Sequence, residues 1–227
     1  NCINSGIFKI DLNSMRSGKA GVGKKIFTIG PVDNSGKCAV VAGVKGRDEN
    51  PLPARVEGIP VGEDVSSLIF LHACARPSEN QKAYFNIPDF FDSADLLGWY
   101  EVVYEDEFKI TIPVQYGVNI LETNPGGEDR LDLNEGETGS AQNVYCYNAD
   151  PVICSTGDPN LTFYAFEWVN PRYGKIIKEI NLCGTQDYQA TQTNYGTHEY
   201  APMKSNAIIL AGLSKVVKRQ PYIPKAE

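Results

Sequence analysis

The chain is 227 residues long and carries 21 Lys and Arg against 28 Asp and Glu, a formal net charge of -7. That acidic balance excludes a nucleic-acid backbone binder, because no basic excess is available to release phosphate counterions. With 42% hydrophobic and 22% charged residues the chain is too apolar to be disordered, and a chain of this size buries roughly 70% of its unfolded surface on folding. Twelve Tyr, nine Phe, 21 Gly and 14 Pro against two Met favour strands and turns over helices.

In chain order, Ile7 to Leu12 opens a series of predicted strands. Gly18 to Lys25 reads as a flexible basic loop, and Ile26 to Ile29 follows as a strand. Lys37 to Ala42 comes after an Asp33-Asn34-Ser35-Gly36 turn. Ala54 to Val61 leads through Gly62-Glu63-Asp64 into Ser66 to Ala75, a nearly continuous apolar run suited to a strand buried on both faces. The clearest hairpin joins Trp99–Tyr104 to Phe108–Val114 through Glu105-Asp106-Glu107. Its residues alternate between two faces. Asn143 to Tyr147, Leu161 to Val169, Lys175 to Leu182 and Asn206 to Val217 complete about ten strands at short spacing, the pattern of an all-β sandwich.

Three stretches interrupt this pattern: Pro77 to Leu97, the acidic Thr123 to Ser140, and Gly184 to Lys204. Loops of that length inside a compact domain are uncommon and often functional. No linker divides the chain, so residues 1–219 are taken as one domain and 220–227 as an exit tail or linker. The longest apolar runs, around Leu68 to Ala75 and Ala207 to Leu213, fall far short of the ~18 residues of a spanning helix. Opening on Asn1 fits a processed secreted protein or a domain cut from a longer chain.

Chemistry-bearing motifs are few. Gly18-Lys19-Ala20-Gly21-Val22-Gly23-Lys24 has phosphate-loop spacing, but Lys25 stands where Ser or Thr should hold magnesium. A predicted strand follows it where a helix is required, so nucleotide binding is rejected. Asp132 to Glu137 suggests calcium, yet the Gly and Glu of an EF-hand loop are out of place; no cofactor is predicted, although a calcium site built from backbone carbonyls would leave no trace in this pattern. The six cysteines form no C-x-x-C pair, and the two histidines are far apart, unlike a zinc site. Cys38, Cys74 and Cys183 read as small buried hydrophobes. Cys146 and Cys154 bracket a turn-rich segment that could close as a disulfide in an oxidising compartment.

His72 lies between Leu71 and Ala73 and reads as a satisfied core histidine. Glu167 beside Trp168 demands a partner if buried, and Glu101 is a charge on the wet face of its hairpin. Sugar recognition calls for flat aromatics among amides and hydroxyls, and the stretch from Gly184 to Lys204 supplies Tyr188, Gln192, Tyr195, His198 and Tyr200. These five are the predicted ligand contacts. Trp99 and Trp168, being in strands, are assigned to the core.

Phe166-Glu167-Trp168-Val169-Asn170-Pro171 followed by Ile176 to Ile180 resembles the galactose-binding-like, jelly-roll accessory domains of bacterial glycoside hydrolases of the β-galactosidase-like kind. Val56 to Gly62 before Leu68 to Ala73, and Gly98 to Tyr104 before Ile112-Pro113-Val114 and Gly117-Val118-Asn119-Ile120, are similar to that family's segments in the same order. Glu107 stands where the family usually has Gly, and Leu121 replaces a common Trp. The resemblance implies a single jelly-roll β-sandwich that is non-catalytic, secreted or periplasmic, and partnered by carbohydrate and an adjoining catalytic domain. It carries over no catalytic residue. A purely structural domain and a self-contained glycosidase are the alternatives; the latter requires two carboxyls facing each other roughly 5–9.5 Å apart.

Overall fold

The computed structural model describes residues 2–4, 9–11, 18–29, 39–75, 96–123, 146, 148–154, 161–194 and 197–217. Fifteen strands and no helix occur among them. In chain order they begin with β1 (Cys2–Asn4), β2 (Lys9–Asp11), β3 (Gly18–Val22), β4 (Lys25–Ile29), β5 (Val40–Val44), β6 (Arg55–Glu63), β7 (Val65–Ala75) and β8 (Leu96–Tyr104). There follow β9 (Lys109–Gln115), β10 (Ala149–Ile153), β11 (Thr162–Val169), β12 (Ile177–Gly184), β13 (Gln189–Asn194), β14 (Thr197–Pro202) and β15 (Asn206–Val217). Two antiparallel sheets dominate, one ordered β10-β11-β7-β15-β5 and the other β6-β12-β8-β9.

Strand periodicity decides which residues meet between them. In β8, Tyr100, Val102 and Tyr104 are fully buried while Trp99 and Glu101 point outward, as the two-residue period requires. The opposing strand β7 offers Leu68, Phe70 and His72, also fully buried. Phe70 stacks on Tyr100 with centroids 4.2 Å apart, and Phe166 of β11 lies 6.0 Å from the His72 ring at 10°. These rings join the two sheets face to face. Where β5 approaches β12, only glycine fits: a Cβ added at Gly184 would overlap the Gly43 carbonyl oxygen.

The predicted hairpin, the central strand and the final strand are all present, the last with the expected ends. Asn170 and Asn119, from two of the segments that carry the resemblance, are buried ties. Asn170 accepts from the Tyr104 hydroxyl at 2.6 Å and donates to the Val65 carbonyl at 2.8 Å. Asn119 accepts from the Gln115 amide at 2.9 Å and donates to the Pro113 carbonyl at 2.8 Å.

Three expectations are corrected. Gly18–Val22 is not a loop but the first strand of a hairpin with β4, turned by Gly23 (φ +58°) and Lys24. It forms because Ala20, Phe27 and Ile29 bury themselves against the outer face of the five-stranded sheet, beside Gly212 and Leu71. Lys25 then reaches Asp150 at 2.8 Å. Second, Gly184 to Lys204 contains a hairpin of β13 and β14. Third, Cys146 and Cys154 are both buried and no disulfide joins them. Cys74 and Cys183 are buried as expected. Cys38, Asn143–Tyr145 and Tyr147 of a predicted strand, the acidic loop 124–140, most of Pro77–Leu97 and the tail from 220 lie outside the described residues.

Candidate functional site

Among the five predicted contacts, Tyr188 is the one whose side chain the structure describes. Tyr188 is wholly buried and belongs to the hydrophobic core, which withdraws its ring from any ligand; its backbone donates to the Lys45 carbonyl at 2.8 Å. In the β13–β14 ribbon, Thr191 pairs with Tyr200, Gln192 with Glu199 and Thr193 with His198. Tyr195 lies outside the described residues.

A polar cluster sits instead on the outer face of the four-stranded sheet. Because Tyr100 and Val102 turn inward, Trp99, Glu101 and Val103 are dealt to the opposite face. Antiparallel pairing then sets Asn181 opposite Glu101, and Cys183 opposite Trp99, with Pro113 on the other side of Trp99. From β6, Arg55 crosses Cys183, its Nη1 3.0 Å from Sγ, and reaches Glu101 Oε1 through Nη2 at 2.7 Å. Asn181 Nδ2 donates to the same oxygen at 2.8 Å and Lys109 Nζ at 3.1 Å. A second carboxylate, Glu57, accepts from Arg55 Nε at 2.6 Å.

Glu101 Oε1 therefore holds three donors, whereas Oε2 receives none among the described residues. The carboxylate keeps 16% of its side-chain exposure. Burial alone would raise its pKa, but the hydrogen bonds from Asn181, Arg55 and Lys109 outweigh that and hold it at about 2. Arg55 is held protonated above its ordinary range by Glu57 and Glu101. Burial raises the Cys183 thiol, against the pull of Arg55, so it stays protonated and poorly nucleophilic. The product is a fixed, ionised acceptor with one open oxygen, next to a half-buried indole.

The assignment of Trp99 to the core is thus corrected: the pleat places it on the outer face, where it is partly exposed. Trp168 does pack against the core. Glu167 has the structural partner expected of it, the Ser67 hydroxyl at 2.7 Å. His72 is a satisfied core residue, bonded to Tyr100 and to the Asn119 carbonyl. Arg55, Asn181 and Lys109 were not singled out in the sequence. The alternation of Trp99, Tyr100 and Glu101 signals a shared face, but partners 46 and 80 residues from Glu101 leave no local trace.

No family model matches the chain, and no curated protein or solved structure matches it.

Proposed function

We propose that the chain is a non-catalytic carbohydrate-binding module that uses the outer face around Trp99 and Glu101. The observation that carries this reading is the open Oε2 of Glu101 beside the indole. A sugar ring stacked on Trp99 would present a hydroxyl to that oxygen, a charge-assisted hydrogen bond to an acceptor already fixed in place. The site costs little reorganisation because Arg55, Asn181 and Lys109 hold the carboxylate before any ligand arrives. A carboxyl ionised down to about pH 2 is poorly suited to act as a general acid near neutrality, which favours binding over glycoside hydrolysis.

The architecture is read as a jelly roll. Four strands in the order β5-β15-β7-β11 and four in the order β6-β12-β8-β9 support it, since each pair of sequential strands from β5 to β8 falls in alternate sheets, as two nested Greek keys require. With the resemblance to accessory domains of bacterial glycoside hydrolases, this supports a secreted or periplasmic module beside a catalytic domain. The burial of Tyr188 favours one element of a second reading, a purely structural domain.

The test is a glycan array on the intact chain, wild type beside Trp99→Ala, Glu101→Gln and Tyr195→Ala. Binding to galactose-, arabinose- or xylose-type glycans is expected, lost in Trp99→Ala, weakened in Glu101→Gln and kept in Tyr195→Ala. Loss in Tyr195→Ala alone would move the site to the β13–β14 hairpin. A silent array from a folded chain would overturn sugar binding in favour of the structural reading.

A further inference from the structure

Large exposed hydrophobic side chains are concentrated at one end of the two sheets. Eight are exposed among the described residues, and six of them, Phe108, Val169, Tyr173, Ile176, Val216 and Val217, lie at the end where β8 turns into β9. The links are direct. The Glu105 amide donates to the Ile176 carbonyl, Asn170 to Ser66, and Gly174 to the Asp64 carboxylate. Val169 and Val216 both pair with Ser67, from either side of β7. Val169 is 70% exposed, Tyr173 64% and Phe108 50%.

This surface is held in shape. Arg172 stacks over Phe108 at 4.1 Å and Tyr104 at 4.8 Å, and its guanidinium grips both oxygens of Asp106 at 3.1 and 2.9 Å. A rigid apolar surface exposed to water marks an interaction site. The charges around it are of both signs and incompletely used. Glu105 and Glu107, flanking Asp106, have no ionic partner among the described residues, and neither does Lys178. Lys175 only shares, at 3.4 Å, an Asp106 oxygen that Arg172 already holds.

We propose that this end binds a second copy of the same chain in a two-fold arrangement. In such an interface each surface patch meets itself, so a patch must carry both partners of every contact. Here an apolar centre of Phe108, Tyr173 and Val169 would meet its own image, and the Glu105–Glu107 edge of one copy would meet Lys175 and Lys178 of the other. Trp99 lies five residues from Tyr104 along β8, about 17 Å by strand rise, so pairing through this end leaves the outer-face site open.

Sedimentation equilibrium of the intact chain, from low to high micromolar concentration, is the test. A weight-average mass rising toward twice 24.9 kDa is expected. Tyr173→Lys and Val169→Lys, at exposed positions that spare the fold, are expected to weaken dimerisation at least about tenfold. The charge-reversed variants Glu105→Lys/Glu107→Lys and Lys175→Glu/Lys178→Glu should each be monomeric alone and should associate when mixed. A wild type that stays monomeric throughout overturns the proposal. So does a dimer unaffected by Tyr173→Lys and Val169→Lys, which would be using another face.

Discussion

The Tyr100 hydroxyl donates to Nδ1 of His72 at 2.9 Å, across the gap between the two sheets. The direction follows from the other side of the ring, where Nε2 lies 2.7 Å from the Asn119 carbonyl. A carbonyl only accepts, so Nε2 carries the proton and Nδ1 is the acceptor. Both ring nitrogens are satisfied by the neutral imidazole. A protonated ring would place a charge in a wholly buried site and would make the Tyr100 hydroxyl turn from donor to acceptor, leaving its own proton without that partner.

Stability should therefore fall in mild acid. Burial lowers the His72 pKa from 6.5 to about 4, against the raising effect of the Asn119 hydrogen bond. With the folded value depressed, the unfolded chain binds the extra proton first. The neutral-ring contribution is complete above about pH 6.5 and is lost progressively toward pH 4, up to about 3 kcal/mol. Urea midpoints at pH 7.5 and 4.5 should differ in wild type and differ much less in His72→Gln. Equal slopes in the two proteins would refute this origin.

Sugar binding at the outer face should, by contrast, ignore pH over the same range. Glu101 is ionised down to about pH 2, whereas an ordinary Glu begins to protonate below about pH 5. Titration calorimetry with whichever array glycan binds should give the same affinity at pH 7 and 4.5. A steep loss by pH 4.5 would mean that a different acid carries recognition.

The turn between β8 and β9 stores a small strain. Glu107 has φ +62°, the one non-glycine residue at positive φ among those described. A side chain there costs about 1–2 kcal/mol that glycine avoids, partly offset by glycine's greater freedom when unfolded. Glu107→Gly should stabilise by about 0.5–1 kcal/mol, read as a higher thermal midpoint. A lower midpoint would show that the carboxylate contributes more than the strain.

Removing the Tyr104 hydroxyl should loosen the β11–β12 connection. Tyr104→Phe deletes the 2.6 Å bond to Asn170 but leaves Asn170 Oδ1 the Arg172 amide at 2.9 Å. A loss of about 1–1.5 kcal/mol in denaturant unfolding is expected. Asn170→Leu also removes the side-chain donor to the Val65 carbonyl, and its cost should be clearly larger. Equal costs would mean that the tie acts through Tyr104 alone.

The close approach at Gly184 has its own signature. A Cβ there would overlap the Gly43 carbonyl oxygen, a backbone atom with no side-chain freedom to yield. Gly184→Ala should cost more than the roughly 1–3 kcal/mol of ordinary overpacking, or prevent folding. Gly174→Ala, where added bulk meets open space but φ is +88°, should cost only the backbone strain. A mild Gly184→Ala would show that β5 and β12 can separate.

Local pattern made much of the fold legible. Val65–Ala75, Leu96–Tyr104 and Asn206–Val217 are strands because long runs of β-branched and aromatic residues can satisfy their backbone only in a sheet, and their alternation names an inner and an outer face. That same alternation is enough to bury Tyr100 and expose Glu101. It failed at Gly18–Val22, where lysines and glycines look like a loop until Phe27 and Ala20 find a sheet to cover. It failed also at Tyr188, whose polar neighbours say nothing of the core around it. The site was decided in three dimensions. Arg55 and Asn181 reach Glu101 only because β6 and β8 flank β12 in one sheet, a pairing of residues far apart in the chain. Such contacts form once the whole core closes, so no short window of the sequence records them.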